Sequence, residues 1–269
     1  KVGAYAVHRW QDHAGGGDTE VTAVDLYLKK SFHAGLMHMF AELEVAVMFG
    51  STSYSQSALT PGRFSIESGG GVLRVGGSIE GFKALMEAGY ASGDDNPYDT
   101  HLTAFSFDRE YKVGLLMFRQ TLRQMTAAAV LNIQDPTYRG QPPRAYERIA
   151  TSGAVQGAAY INPKVSYTFE FGLSLAAGYL HARSAAHYAD PFQSSLNGGL
   201  PTGPKGALLQ NLLGDEFDVA VSYDVPTPAV ALRIKAEAAV YQPGEVFATH
   251  GDDAPPLQYG AWMTGELVW

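Results

Sequence analysis

Apolar and polar residues alternate with a period of two along most of this chain, the periodicity of a strand with one apolar and one polar face. The clearest run is Val230 to Tyr241, with Val230, Leu232, Ile234, Ala236, Ala238 and Val240 on one face and Arg233, Lys235, Glu237 and Tyr241 on the other. Before it, Phe217, Val219, Val221 and Tyr223 oppose Glu216, Asp218, Ser222 and Asp224, and Val225-Pro226-Thr227-Pro228 supplies the turn. Proline lacks an amide donor, so this turn falls between strands and not within one. Further runs are Val2 to Trp10, Val24 to Lys29, Glu42 to Phe49, Leu73 to Glu80, Ala84 to Ser92, Ala159 to Tyr167, Phe171 to Ala182 and Leu257 to Trp269. The pattern predicts an all-β, antiparallel, up-and-down chain of about ten strands, in a single domain over 1–269.

Alternation alone fits both a soluble sandwich and a barrel. The connections separate them. Short turns near Phe32–Gly35, Gly81, Glu170 and Pro226–Pro228 alternate with long polar segments at 50–71, 93–156, 185–214 and 243–256. One trimmed end and one elaborated end is the asymmetry of a transmembrane β-barrel of the bacterial outer membrane, with short periplasmic turns and long extracellular loops. Gly15-Gly16-Gly17 and Gly69-Gly70-Gly71 read as turn material, because neither leads into the Gly-Lys-Ser/Thr of a phosphate loop.

Composition narrows the function classes. The formal charge of -8 argues against nucleic acid, which demands clustered Lys and Arg. The absence of cysteine fits an oxidising compartment. No apolar run approaches the roughly 20 residues of a membrane-spanning helix, so a membrane crossing would use strands, with lipid and lipopolysaccharide as surroundings and other envelope proteins as partners. Neither an initiator Met nor a leader precedes Lys1, and the expectation is that N-terminal strands are missing. Aromatics at strand ends, Trp10, Tyr90, Tyr167, Phe171, Tyr223, Tyr241 and Trp269, are expected at the two interfaces.

On a barrel reading, the inward charges Glu42, Glu44, Arg74, Glu87, Lys164, Asp218, Arg233, Lys235, Glu237 and Glu266 are candidate pore-lining residues that select solutes by charge. The alternative is cross-strand pairing, about 0.2–1 kcal/mol per pair. In 93–156, Leu115, Phe118, Leu122, Met125 and Ala129 recur at helical spacing. That helix could constrict a pore or lie on the surface, or the segment could form another hairpin. Asp94, Asp95 and Asp99 have the hard oxygens to hold Ca²⁺, but their spacing does not match an EF-hand and also suits a solvated acidic loop. His101, His181, His187 and His250 fall in or near the long segments without a Gly-x-Ser-x-Gly or His-Glu-x-x-His motif, so no enzyme and no cofactor are expected.

Two resemblances refine this. A last strand ending on an aromatic, here Trp269, resembles the assembly signal that outer-membrane barrels present to the barrel-assembly machinery. Gly89-Tyr90-Ala91-Ser92-Gly93-Asp94-Asp95, Phe105 to Tyr111, Val113 to Arg119 and Tyr241-Gln242-Pro243-Gly244-Glu245-Val246-Phe247 resemble the alginate-export-like outer-membrane porins, in particular their myxobacterial relatives. The resemblance implies a porin or channel-like barrel for polar solutes or a polysaccharide, and a larger barrel than ten strands. It departs at the lumen: an arginine-rich lining is implied, whereas Asp25, Glu42, Glu44, Glu87, Asp218, Glu237 and Glu266 are acidic. A non-conducting barrel that scaffolds partners through its loops or lumen is the other reading. Segment 185–214, rich in Gly and Pro, could order on such a partner.

Overall fold

A computed structural model describes residues 1–54, 62–135, 137, 149–225, 231–248 and 255–268. Ten long strands form one antiparallel meander: β1 (Val2–Asp12), β2 (Asp18–Ala34), β3 (Met37–Thr52), β4 (Phe64–Ile79), β5 (Phe82–Ala91), β7 (Ala158–Thr168), β8 (Leu173–Tyr188), β9 (Gln210–Val225), β10 (Ala231–Pro243) and β11 (Gln258–Val268). Each pairs with its neighbours in the order β1-β2-β3-β4-β5-β7-β8-β9-β10-β11, and the two-residue β6 (His101–Leu102) adds a short parallel pairing to β4. The up-and-down all-β expectation therefore holds. Closure is not seen: among the described residues β1 pairs only with β2 and β11 only with β10, leaving both outer edges of the sheet unpaired.

The two ends differ as the loop lengths predict. Two-residue turns at 35–36 and 80–81 and a four-residue turn at 169–172 lie at one end; the long connections leave β3, β5, β8 and β10 from the other, where one short connection, 13–17 between β1 and β2, also lies. The proline turn at 226–228 and Trp269 lie outside the described residues. Several strands run longer than the alternation suggested. Gly69-Gly70-Gly71, read as turn material, sit inside β4, where a Cβ on Gly70 would meet the Phe105 ring at 2.6 Å and one on Gly71 would meet the Glu44 carbonyl at 2.8 Å. Small residues there admit a neighbour and do not break the strand.

The register assigns every strand residue to one of two faces. One carries the remaining structure: a π-helical stretch (Met117–Leu122) packs onto β5, β7, β8, β9 and β10 and runs directly into α1 (Arg123–Gln134), whose Ala129 and Ile133 pack against Phe192. We call this the inner face. Its core joins Met117, Phe118 and Leu122 to Tyr160, Leu180, Leu213 and Tyr241, all nearly or wholly buried. Of the stripe Leu115, Phe118, Leu122, Met125 and Ala129, Phe118, Leu122 and Ala129 are buried on the covered side of this helical pair, Met125 is half-buried, and Leu115 is half-buried and precedes the helix. Tyr241, expected at a membrane interface, is in this core with no exposed surface and donates its hydroxyl to the Leu213 carbonyl at 2.5 Å.

The outer face is apolar and uncovered. Val24, Leu26, Val45, Val47, Leu73, Val75, Met86, Ile161, Val165, Leu175, Val219, Val221 and Ile234 all lie on it and all are exposed. Aromatics flank this apolar field. Phe49, Tyr90, Phe217 and Tyr259 lie toward the long-segment end, and Phe32, Phe82, Tyr167 and Tyr223 toward the short-turn end. Polar outward residues join and follow the first row: Thr22, opposite Phe49, meets His8 at 3.0 Å, and beyond Phe217 His181 meets Asp215 at 2.8 Å.

Candidate functional site

Strand alternation directs Glu42, Glu44, Arg74, Glu87, Lys164, Asp218, Arg233, Lys235, Glu237 and Glu266 to the inner face, the face on which the helices sit. The register gathers part of this set into one row. Lys29 stands opposite Glu42, Glu42 opposite Arg74, and Arg74 opposite Glu87, on four consecutive strands. The Lys29 ammonium is 2.6 Å from Glu42, the Arg74 guanidinium 3.1 Å from Glu42 and 3.3 Å from Glu87. Tyr160 on β7 extends the row by donating its hydroxyl to Glu87 at 2.8 Å. Arg74 is also held from the inserted segment, donating to the Tyr111 hydroxyl at 3.2 Å with its guanidinium 5.0 Å from that ring's centre. Two carboxylates of one row share two cations, so the row is nearly neutral.

Across the sheet, Lys164 and Asp218 occupy one cross-strand row with Gly178 between them, which leaves room above the small residue. Lys235 reaches Glu237, two residues along the same face, at 2.7 Å. Arg233 is engaged by Asp224 through two bonds of 2.6 and 3.0 Å. Glu44 and Glu266 share the face without an ion pair among the described residues.

Glu216, which alternation also aims inward, does something the pattern does not disclose. Its side chain is fully buried, and its two carboxylate oxygens accept the backbone N–H groups of Leu115, Leu116 at 2.8 Å and Met117 at 2.6 Å. These donors open the helical stretch and have no intrahelical partner, so a carboxylate is their natural acceptor. Gly114, at φ 65°, delivers the chain to this point, and a Cβ there would lie 2.7 Å from Leu180 and 2.9 Å from the Glu216 carboxylate. Lys29, Tyr111 and Tyr160 are the other participants absent from the sequence-derived set. Alternation marks Lys29 as inward, but no sequence signal brings Tyr111 to Arg74.

Above the ion-pair row, toward the long-segment end, a half-open cavity of about 680 Å³ lies against the inner face. It is lined by Arg9, Gln11, Ser68, Asp94, Tyr98 and Thr126, among others, with the His13 ring stacked on Tyr54 at 4.0 Å. The acidic loop borders it but forms no cation cage. Asp94 accepts the N–H of Asn96 at 3.0 Å, and Asp99 that of His101 at 2.7 Å, so each carboxylate closes its own turn. Among the described residues no three Asp, Glu or His groups gather to hold a metal ion, and Asp94, Asp95 and Asp99 do not converge. Burial holds the Asp94 carboxyl above the ordinary carboxylate range despite those N–H donors. His101 bonds Ser65, His181 bonds Asp215 on the outer face, and His250 lies outside the described residues.

No protein-family model matches this chain, and no curated protein matches it.

Proposed function

We propose that this chain forms the wall of a bacterial outer-membrane β-barrel whose charged inner face passes polar solutes. The supporting observation is the outer face: a continuous apolar field across the strands, bounded by aromatics and then by polar residues, with no second layer upon it among the described residues. Water-facing surfaces of soluble proteins rarely carry a contiguous apolar patch beyond a few hundred Å², whereas lipid-facing barrel surfaces carry such a band between aromatic girdles. A sandwich would cover that face with a second sheet. The alternating run from Phe217 to Val225 on β9, apolar on its outer side, matches the roughly 9–11 residues a tilted strand needs to cross. The alternating charges Lys29, Glu42, Arg74 and Glu87 then supply a polar path with little net charge. This reading rests on the outer face and not on the likeness to alginate-export-like porins.

A second reading has its own support. The helical stretch and its core occupy much of the inner face beside β5 through β10, and a filled interior suits a non-conducting barrel that scaffolds envelope partners through its long segments. Planar-bilayer recording of the purified, heat-modifiable protein separates the two. Steady conductance whose ion preference shifts toward anions in Glu42→Gln supports the channel. Folded, inserted protein with no conductance supports the scaffold. Protein that stays soluble and monomeric without detergent refutes both.

A further inference from the structure

The β2–β3 hairpin turns through Gly35 and Leu36, with Gly35 at φ 61° and Leu36 outside the positive-φ set, the signature of a type II′ turn. In such a hairpin the first pair out from the turn, Ala34 and Met37, is the hydrogen-bonded one. The next, His33 and His38, falls at the non-hydrogen-bonded position, where opposed side chains come closest. The two imidazole centres are 4.9 Å apart, with the ring planes inclined by 56°. Both side chains belong to the inner face, at the short-turn end, continuing the alternation of Lys29 and Glu42. His33 is exposed and His38 partly so, which leaves the pair open to solvent.

That spacing suits a shared metal ion. A metal–nitrogen bond of 2.0–2.1 Å places the ion about 3.2 Å from each ring centre, so two imidazoles on one ion have centres about 4.5 Å apart at a right-angled geometry and about 5.2 Å apart at a tetrahedral one. The observed 4.9 Å lies between these limits. We propose that His33 and His38 form a two-imidazole binding site for a borderline divalent transition metal, with Cu(II) bound most tightly and Ni(II) and Zn(II) as weaker occupants. Imidazole suits these ions, and the order of divalent affinities peaks at copper. The adjacent positions on this face are uncharged, Ser31 and Phe40 forming the next pair up the hairpin and Ser78 lying across from His38 on β4, and the charged group next in the row, Lys83 opposite Ser78 on β5, is a cation. With no carboxylate in the row, the site disfavours Ca²⁺ and Mg²⁺, which require oxygen ligands. No third Asp, Glu or His ligand stands by among the described residues, so water completes the coordination sphere. The site needs only the hairpin, and its test is independent of whether the protein conducts.

The full-length protein in detergent micelles is titrated with CuCl2, followed by calorimetry and by electron paramagnetic resonance. The expected result is one tightly bound equivalent with two-nitrogen coordination. Its affinity weakens at acid pH, because protons compete with the ion for the ring nitrogens. His33→Gln and His38→Gln each lower the affinity at least about tenfold, since each leaves one imidazole where two were shared. Both side chains sit on the hairpin surface, and unchanged heat-modifiability checks that the variants still fold. Copper bound equally well by the double variant assigns it to other histidines and overturns the site. So does wild-type protein that takes up no tightly bound copper.

Discussion

Met117 donates its backbone N–H to Glu216 across 2.6 Å, joining the start of an inserted helix to a strand carboxylate that has no exposed surface. The same side chain also accepts from Leu115 and Leu116. Removing it orphans three donors, two of them in buried contacts, and each unsatisfied buried donor costs about 1–3 kcal/mol. Glu216→Ala is expected to lose at least about 3 kcal/mol, read from the urea midpoint in detergent, and to expose 103–135 to protease. Glu216→Gln, which keeps one acceptor oxygen, loses less. An unchanged midpoint for the alanine variant would mean the insert is held by its apolar contacts alone.

Gly114 and Gly35 separate crowding from backbone conformation. Both take positive φ, at 65° and 61°, yet a Cβ on Gly35 meets nothing within 4 Å while one on Gly114 strikes Leu180 and the Glu216 carboxylate. Gly35→Ala should therefore cost about 1 kcal/mol, the conformational part alone. Gly114→Ala should cost about 1 kcal/mol more again, because the anchor itself must shift. Equal thermal midpoints for the two variants would remove the close approach from the account.

The lipid-facing assignment predicts a depth profile. Val219 and Val221 lie within the apolar field and Tyr259 near its edge, whereas Thr264 is on the inner face of β11. Arginine at the first two should cost about 2–4 kcal/mol in folding from urea into lipid vesicles, and at Tyr259 about 0–1 kcal/mol. Thr264→Arg should fold like the wild type. A profile reversed between Val221 and Thr264 would exchange the two faces of the sheet.

The period-two pattern was enough to locate the ten long strands, because a strand with one apolar face writes that face into every second residue. It was enough to put Glu42, Arg74 and Glu87 on one side, and the register then set them in one row. It could not say what covers that side. Glu216 and Asp218 look alike in the alternation, and only the return of segment 113–117, about a hundred residues earlier, makes Glu216 an anchor. Tyr241 shows the same limit: position at a strand end suggests an interface, but its parity aims it inward and the insert buries it. Gly69-Gly70-Gly71 misled for a related reason, since a glycine that breaks a strand and one that admits a neighbouring ring are identical in sequence. Closure of a sheet has no local signal at all.

Two loop carboxyls set the expected pH response. Burial raises Asp190 above the ordinary carboxylate range, although it caps α2 (Pro191–Leu196) by accepting the Gln193 N–H at 2.8 Å, and burial likewise raises Asp94. A raised acid means that the folded state holds more protons than the unfolded chain between the unfolded value, about 3.9, and the raised one. Stability from these groups is then full below that window and falls as pH rises through it. Asp190→Asn keeps a capping oxygen while removing the buried charge, so at pH 7 it should melt higher than the wild type, and the gain should vanish near pH 4. Asp94→Asn should show the same trend less cleanly, because its second oxygen accepts the Thr103 N–H and an amide nitrogen cannot. Thermal midpoints in detergent across that pH range check both. A gain for Asp190→Asn that stays constant from pH 4 to 7 would mean the carboxyl titrates in its ordinary range and the cap, not the charge, controls the helix.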